Sequence, residues 1–317
     1  MNLIDAYRYL AALHQHRHFG RAAAACHITQ PALSNALRAL EQTLGACIVR
    51  RGRQYEGLTA EGEQVLATAQ RVLHEQELLL QQLASRPGQV RGRLVIGSVP
   101  TALPIAARFA ARLVERQPGL VPQLRSLSSQ ELETGLESLA LDLALGYTER
   151  LAGTASARPR LRAWPQYLEH YHLVTCEAQA APGLRHGAPM RWADAAALPL
   201  ALLTPEMHNR GILEQVFRGL GLALRPALET NSVLSLLVAV QSGTFAAVLP
   251  GALVGTAAGA AGLLARRLVE PELRTPIGFI EAVAARPSRA LEAALALAVE
   301  PDWLAHAAAH SGPLRAL

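Results

Sequence analysis

Pro31, Ser34, Asn35 and Arg38 in the stretch TQPALSNALRALE recur at helical spacing, opposite an apolar row of Leu33, Leu37, Leu40 and Leu44. Short hydrogen-bonding side chains repeated on one helix face suit the reading of a surface with its own donor and acceptor pattern. A second group is basic. Arg50, Arg51 and Arg53 in CIVRRGRQYEGL stand between two short strand-like runs, where a guanidinium can take phosphate oxygens in pairs. A third group carries hydroxyls and amides. Thr101 in SVPT and Ser129 in LSSQE each lie between a strand-like and a helical run. Thr204, His208 and Asn209 surround a further strand end and helix start, and Tyr147 follows an expected strand at 142–146. Hydroxyls at helix N-termini favour a small anion, because the helix dipole and free amides complement negative charge.

These groups need elements to hold them. Leu3, Ala6, Leu10 and Leu13 predict a first helix, and GRAAAAC a second whose alanines allow close packing. A turn follows at His27 and Ile28, with Thr29 as the N-cap of the third helix, Pro31 in its first turn and Gly45 as its stop. Two helices joined by a short turn make a helix-turn-helix, whose outward polar face fits a major groove. CIVRRGRQYEGL then reads as a two-stranded wing able to reach phosphates or a minor groove. A long helix at 60–83, capped by Thr59, spans roughly 36 Å. Its seam of Val65, Ala69, Val72, Gln76, Leu79 and Leu83 is heptad-like and flanked by Leu66, Leu73 and Leu80, so Val65, Val72, Leu79 and Leu83 are expected to bury against a second copy. SRPGQ at 85–89 ends it as a hinge-like linker.

The 317 residues suffice for two or three compact units. Of the net charge of +5, the first 60 residues hold +4, so the positive charge gathers beside the expected helix-turn-helix. Cys26, Cys47 and Cys176 form no CxxC pair, which argues against a disulfide framework or zinc site; Cys176 alone cannot make a two-cysteine redox switch. His14, His16 and His18, and His306 with His310, have metal-like spacings but no accompanying carboxylate or thiol, and are read as solvated or phosphate-facing. No metal or cofactor is expected. The start MNLIDAYRYL does not read as a signal peptide. The uncharged stretch 230–265 is broken by QSGT and LPG into pieces too short to span a bilayer, and reads as a buried helix, a buried strand and a loop. A cytoplasmic, membrane-free protein is expected.

With FGRAAAACHITQPALSNALRALEQTLG at 19–45, LTAEG at 58–62 and the helix that follows, the chain resembles the LysR-type transcriptional regulators. GRLVIGSVPT, ELETGLESLALDLALG and SGTFAAVLP stand where such regulators have their effector region. The resemblance implies an α/β protein: a winged helix-turn-helix at 1–60, a linker helix and hinge at 61–89, and a two-lobed effector-binding domain at 90–317 with mostly parallel sheets, similar to periplasmic binding proteins. The lobes would comprise 92–164 with 268–303, and 165–267, with a ligand in the cleft between them. It places Gln30, Pro31, Ser34 and Asn35 against bases, and Thr29, Arg38, Arg51 and Thr59 near the DNA backbone, with Arg53 strengthening contact. The chain has Asn35 where the family often carries Arg or Lys, and Ile48–Val49 where it commonly has LF. The implied partners are double-stranded DNA, a small anionic effector bound allosterically at Thr101, Ser129, Tyr147, Thr204, His208 and Asn209, further copies of the chain as a dimer or dimer of dimers, and RNA polymerase. Two rival readings are an enzyme on the same two-lobed fold, for which no nucleophile–base pair or metal set can be assembled, and a binding protein without DNA reading, which would lack residues 1–90.

Overall fold

In the computed structural model, which describes residues 2–52, 55–84, 90–152, 161–177, 183–256, 262–283 and 287–311, the chain forms two compact units, built chiefly from the residues before position 85 and those after 89. In the first, α1 (Leu3–His16) begins on Asn2, whose side chain accepts the Ile4 amide, and ends on Arg17 in the left-handed region. α2 (Phe19–Ala25) is capped by His18, whose Nδ1 accepts the Gly20 and Arg21 amides at 3.1 and 3.3 Å. The last histidine of HQHRH is therefore a helix cap. α3 (Gln30–Leu44) starts on Thr29, which accepts the Ala32 amide at 3.3 Å, and stops at Gly45 with φ 65°, a conformation glycine takes without strain. The antiparallel strands β1 (Val49–Arg51) and β2 (Tyr55–Leu58) form the wing.

α4 (Ala60–Ala84) follows, and Thr59 fixes its start by accepting the Gly62 amide at 2.9 Å while donating to the Cys47 carbonyl at 2.6 Å. Leu10, Leu13, Leu33, Leu37, Leu40 and Ile48 are almost completely buried in one core, to which α4 adds Leu66 and Ala69. Each such leucine stabilises the unit by about 1.5–3 kcal/mol relative to exposure. Leu44, grouped by spacing with the buried leucines, is 42% exposed one turn beyond Leu40. Val65 and Val72 are partly buried, each packing on one side against this unit's own core. Leu79 and Leu83 remain exposed, with Leu80 beside them.

In the second unit, β3 (Arg91–Ser98) leads through a 3-10 turn (Pro100–Ala102) into α5 (Leu103–Arg116), β4 (Gly119–Ser126), α6 (Ser129–Glu137), β5 (Leu143–Tyr147) and α7 (Glu149–Ala152). β6 (Leu161–Cys176), β7 (Leu184–Arg191), α8 (Trp192–Ala195), β8 (Leu200–Leu203), α9 (His208–Gly219), β9 (Leu228–Thr230), α10 (Val233–Gln241), β10 (Ala246–Pro250), α11 (Gly251–Thr256), β11 (Leu263–Val269), β12 (Arg274–Ala282), α12 (Arg289–Ala298) and α13 (Pro301–His310) complete it. The stretch 230–265 thus holds α10 and α11 as well as β10, and no helix among the described residues is long and apolar enough to cross a membrane.

The strand order is β4-β3-β5-β12-β6-β10-β8-β9, with β11 on β6 and β7 on β11. β3 pairs parallel with β4 and β5, as do β10 with β8, β8 with β9 and β11 with β7. The connecting strands run the other way: β12 is antiparallel to β5 and β6, and β6 to β10 and β11. Residues 161–170 of β6 pair with β12, whereas 171–176 pair with β10 and β11, so one strand serves both halves of the sheet and changes partners between His170 and Tyr171. Phe109 packs in the core against Phe279, tilted to it, and against Trp303, edge to face, with ring centroids 4.4 and 5.0 Å away.

Candidate functional site

On α3 the leucine face is spent in the core and the opposite face is open. Thr29, Gln30, Pro31, Asn35 and Arg38 are exposed, and Ser34 is half-buried at the foot of the same surface. Arg38 donates to the Asn35 carbonyl oxygen at 3.3 Å, which orients the Asn35 amide. Glu41, the next residue of interest along α3, turns to the wing: its Oε1 accepts the amides of Ile48 and Val49 at 2.9 and 3.1 Å. That carboxylate ties α3 to the wing. It was detectable in sequence only as the single acid among the basic residues of 38–53. Gly62 permits the same junction, since a Cβ there would lie 2.2 Å from the Ile48 carbonyl oxygen. Arg50 is exposed on the wing, and Arg53 lies outside the described residues, as does the side chain of Arg51. The surface thus combines a helix N-terminus, short polar groups and exposed arginines, the set needed to touch phosphate and base edges together.

In the second unit a cavity of about 10 Å³ collects Thr101, Ser129, Tyr147, His208 and Asn209 from the 3-10 turn, α6, β5 and α9. Segments far apart in sequence therefore meet as expected. Thr204 does not join them. Its hydroxyl donates to Glu206 at 2.6 Å, and Leu203 and Met207 line the wall instead. Ser129 is freed for the cavity by its neighbour: Ser128 accepts the Glu131 amide at 3.3 Å, while Glu131 accepts the Ser128 amide and hydroxyl, a reciprocal cap. The Ser129 Oγ, 6% exposed as a residue, has no hydrogen-bond partner, and neither has Nδ2 of Asn209, 4% exposed. Burial and the Glu169 carboxyl push the Tyr147 hydroxyl well above its usual range; Thr101 and the Asn209 amide pull it back, though the amide makes no hydrogen bond of good geometry to it. Unpartnered buried polar atoms cost about 1–3 kcal/mol each, and both of these residues line one cavity about the size of a water molecule.

Around the cavity, α9 is held by Arg210, which donates to the Leu203 carbonyl at 3.0 Å and to Glu229 at 2.6 Å. The His208 ring packs on Tyr147 with centroids 4.8 Å apart. Its Nδ1 is 3.4 Å from Arg150, which can only donate, so Nε2–H donates to Glu149 at 3.2 Å. Behind Tyr147 lies Glu169, completely buried, whose carboxyl is pushed up to about 8 by burial, while the Tyr171 and Tyr147 hydroxyls pull it back and Glu149 adds to the rise. Sequence reasoning missed Glu169 and the cap at Ser128. An acid inside the apolar strand run YLEHYHLV was a signal, because a carboxylate is seldom buried without a role.

Residues 87–301 match the family described as LysR substrate binding domain, and residues 4–63 match bacterial regulatory helix-turn-helix protein, lysR family. A probable hydrogen peroxide-inducible genes activator of Streptomyces viridosporus is 32% identical over 237 residues, covering 74% of this chain and 73% of that protein. The DNA-binding transcriptional dual regulator OxyR of Escherichia coli K12 is 35% identical over 147 residues, covering 46% of this chain and 48% of OxyR, so the match spans about half the length of that relative. Among solved structures, full-length CbnR in complex with its target DNA superposes with a TM-score of 0.64 at 19% identity, covering 96% of this chain and 99% of that one.

Proposed function

The chain belongs to the lysR family of bacterial helix-turn-helix regulators, and from that premise we propose that α3 reads operator bases while a small anion in the second unit changes how tightly it does so. As a member of that family it is a DNA-binding transcriptional regulator with an effector-binding region. In the proposal, Gln30, Pro31, Ser34 and Asn35 face base edges, Thr29, Arg38, Arg50, Arg51, Arg53 and Thr59 lie along the phosphates, and Thr101, Ser129, Asn209 and His208 surround the effector. A base contact of this kind is worth about 1–3 kcal/mol of discrimination.

The observation that carries the effector reading is the pair of unpartnered donors, Ser129 Oγ and Asn209 Nδ2, at the starts of α6 and α9. Two helix N-termini and two free donors favour a carboxylate or a similar small anion over a cation. To switch transcription the anion must bind one arrangement of the protein better than another, since equal affinity shifts nothing. Exposed Leu79, Leu80 and Leu83 on α4 support assembly with a second copy, which would present two reading helices to two half-sites.

The Streptomyces viridosporus relative, a probable hydrogen peroxide-inducible genes activator, raises hydrogen peroxide as a signal. Residues 87–317 contain Cys176 as their one cysteine, so no disulfide can close within that region, and the proposal takes the anion instead. The test is a thermal-shift screen of the full chain against small organic acids and amines. A stabilising acid whose effect is lost in both Ser129→Ala and Asn209→Ala supports the reading, and stabilisation by amines alone contradicts it.

A further inference from the structure

Five buried side chains run in a line from the cavity to the point where β6 changes partners. The Thr101 Oγ1 is 3.0 Å from the Tyr147 hydroxyl, which is 3.4 Å from Oε2 of Glu169. The same Oε2 is 3.3 Å from the Tyr171 hydroxyl, itself 3.2 Å from Thr275 Oγ1. None of the five residues is more than 2% exposed. Glu169 pairs directly with Thr275 across β6 and β12, and its Oε1 has no partner. The groups facing Glu169 are the Tyr147, Tyr167 and Tyr171 hydroxyls from β5 and β6 and the Glu149 carboxylate from α7, with His208 of α9 beyond Tyr147.

A hydroxyl has one proton to give, so the state of the carboxyl decides which way each hydroxyl in this line points. With Glu169 neutral and its proton on Oε2, Oε2–H donates to Tyr147, Tyr147 donates to Thr101, and the Thr101 proton is left to face the cavity. With Glu169 ionised, Oε2 accepts from Tyr147, Thr101 turns its proton to Tyr147, and only lone pairs face the cavity. We propose that Glu169 is a positioning residue that sets the hydrogen-bond polarity of the effector cavity through Tyr147, making Thr101 a donor to an anion only while the carboxyl is protonated. This rests on the reading of the cavity as the effector site. The contacts are long, so the line transmits hydroxyl orientation and no proton travels along it. Burial keeps the acid neutral to about pH 8, so at neutral pH Thr101 joins Ser129 and Asn209 as a third donor.

The experiment uses the full chain with acetate as the probe, following the Ser129 and Asn209 amide signals by NMR at pH 7 and pH 9, with a parallel ¹³C titration of the Glu169 carboxyl. For a carboxyl titrating near 8, acetate affinity falls by about tenfold between the two pH values as the neutral form is depleted. In Glu169→Gln, whose amide can always donate to Tyr147, the fall disappears and acetate binds at pH 9 about tenfold more tightly than in the parent. Tyr147→Phe keeps the charge of Glu169 but cuts the line, and also flattens the profile; a fall that persists in this variant would mean plain charge repulsion and overturn the proposal. A fall that persists in Glu169→Gln, or a Glu169 carboxyl that titrates in the ordinary range, would overturn it as well. Acetate that shifts neither amide at either pH, with Glu169 still titrating near 8, overturns the cavity reading and this proposal with it.

Discussion

The two units handle polar side chains in opposite ways. In the N-terminal unit the polar residues of α3 are exposed, so water satisfies them until another surface arrives. In the second unit the polar residues of the cavity are buried, and Ser129 and Asn209 keep donors that nothing in the fold satisfies. An exposed face costs little to maintain and can be broad; buried donors cost stability and are kept few. On the proposed reading, the difference separates recognition of a large polyanion, built on a surface, from recognition of a small one, built inside a fold.

A charge in the first core breaks the comparison most severely. Leu37→Asp places a carboxylate at a position 1% exposed and should cost more than about 3 kcal/mol, unfolding the N-terminal unit. Because each unit has its own core, DNA binding should vanish while the acetate-induced shifts at Ser129 and Asn209 persist; loss of both would show that the units do not fold independently.

A pH series separates the units next. Glu169 binds a proton in the folded state at pH values where the unfolded chain has released it, so its contribution makes stability fall as pH rises from about 4.5 to about 8. His172, held neutral by burial down to about 4, acts in the opposite sense: stability falls as pH drops from 6.5 towards 4. Denaturation of the parent between pH 6.5 and 8 should therefore lose about 1.5 kcal/mol that Glu169→Gln does not lose. Equal slopes in the two proteins would show that the acid is ionised when folded.

Neighbouring serines sharpen the contrast on a smaller scale. Ser128→Ala removes a reciprocal cap and should cost about 1 kcal/mol. Ser129→Ala removes an unsatisfied donor and should leave stability unchanged or raised, while weakening anion binding. Chemical denaturation of the two variants checks the order, and a larger loss at Ser129 would contradict it. The smallest effect belongs to the exposed wing. Arg50→Ala should weaken binding to all DNA sequences alike and reduce the salt slope by about one. A sequence-selective loss in salt titrations would place Arg50 at a base instead.

Legibility in the sequence followed the same division. α1 to α4 and the wing could be read because each is fixed locally: Thr29 and Gly45 bound α3, and Thr59 starts α4. In the second unit, the apolar run that predicts a strand at 142–146 was legible, and β5 (Leu143–Tyr147) forms there. β6 shows a clean apolar run only from Tyr171, because Pro165, Gln166 and Glu169 interrupt the pattern of what is one strand paired through Pro165 and Glu169 with β12. β12 itself, with Pro276 and Gly278, carries little strand signal; it is specified by its neighbours β5 and β6. Ser129 was chosen as a hydroxyl at a helix start without seeing that Ser128 is the cap there, and Thr204 was chosen although Glu206 two residues away could bind it. Which hydroxyl is already satisfied depends on side-chain partners that spacing does not reveal.

The central claim, that α3 reads DNA through its exposed polar face, is tested most directly by fluorescence anisotropy of the full chain on a duplex from upstream of its own gene, at physiological salt with competitor DNA. Ser34 stands half-buried at the foot of that face, where an arginine would hold the helix away from base edges while adding positive charge. Ser34→Arg should lose operator affinity by about tenfold or more while its binding to unrelated DNA holds or rises. Operator binding as tight as the parent's would contradict the account.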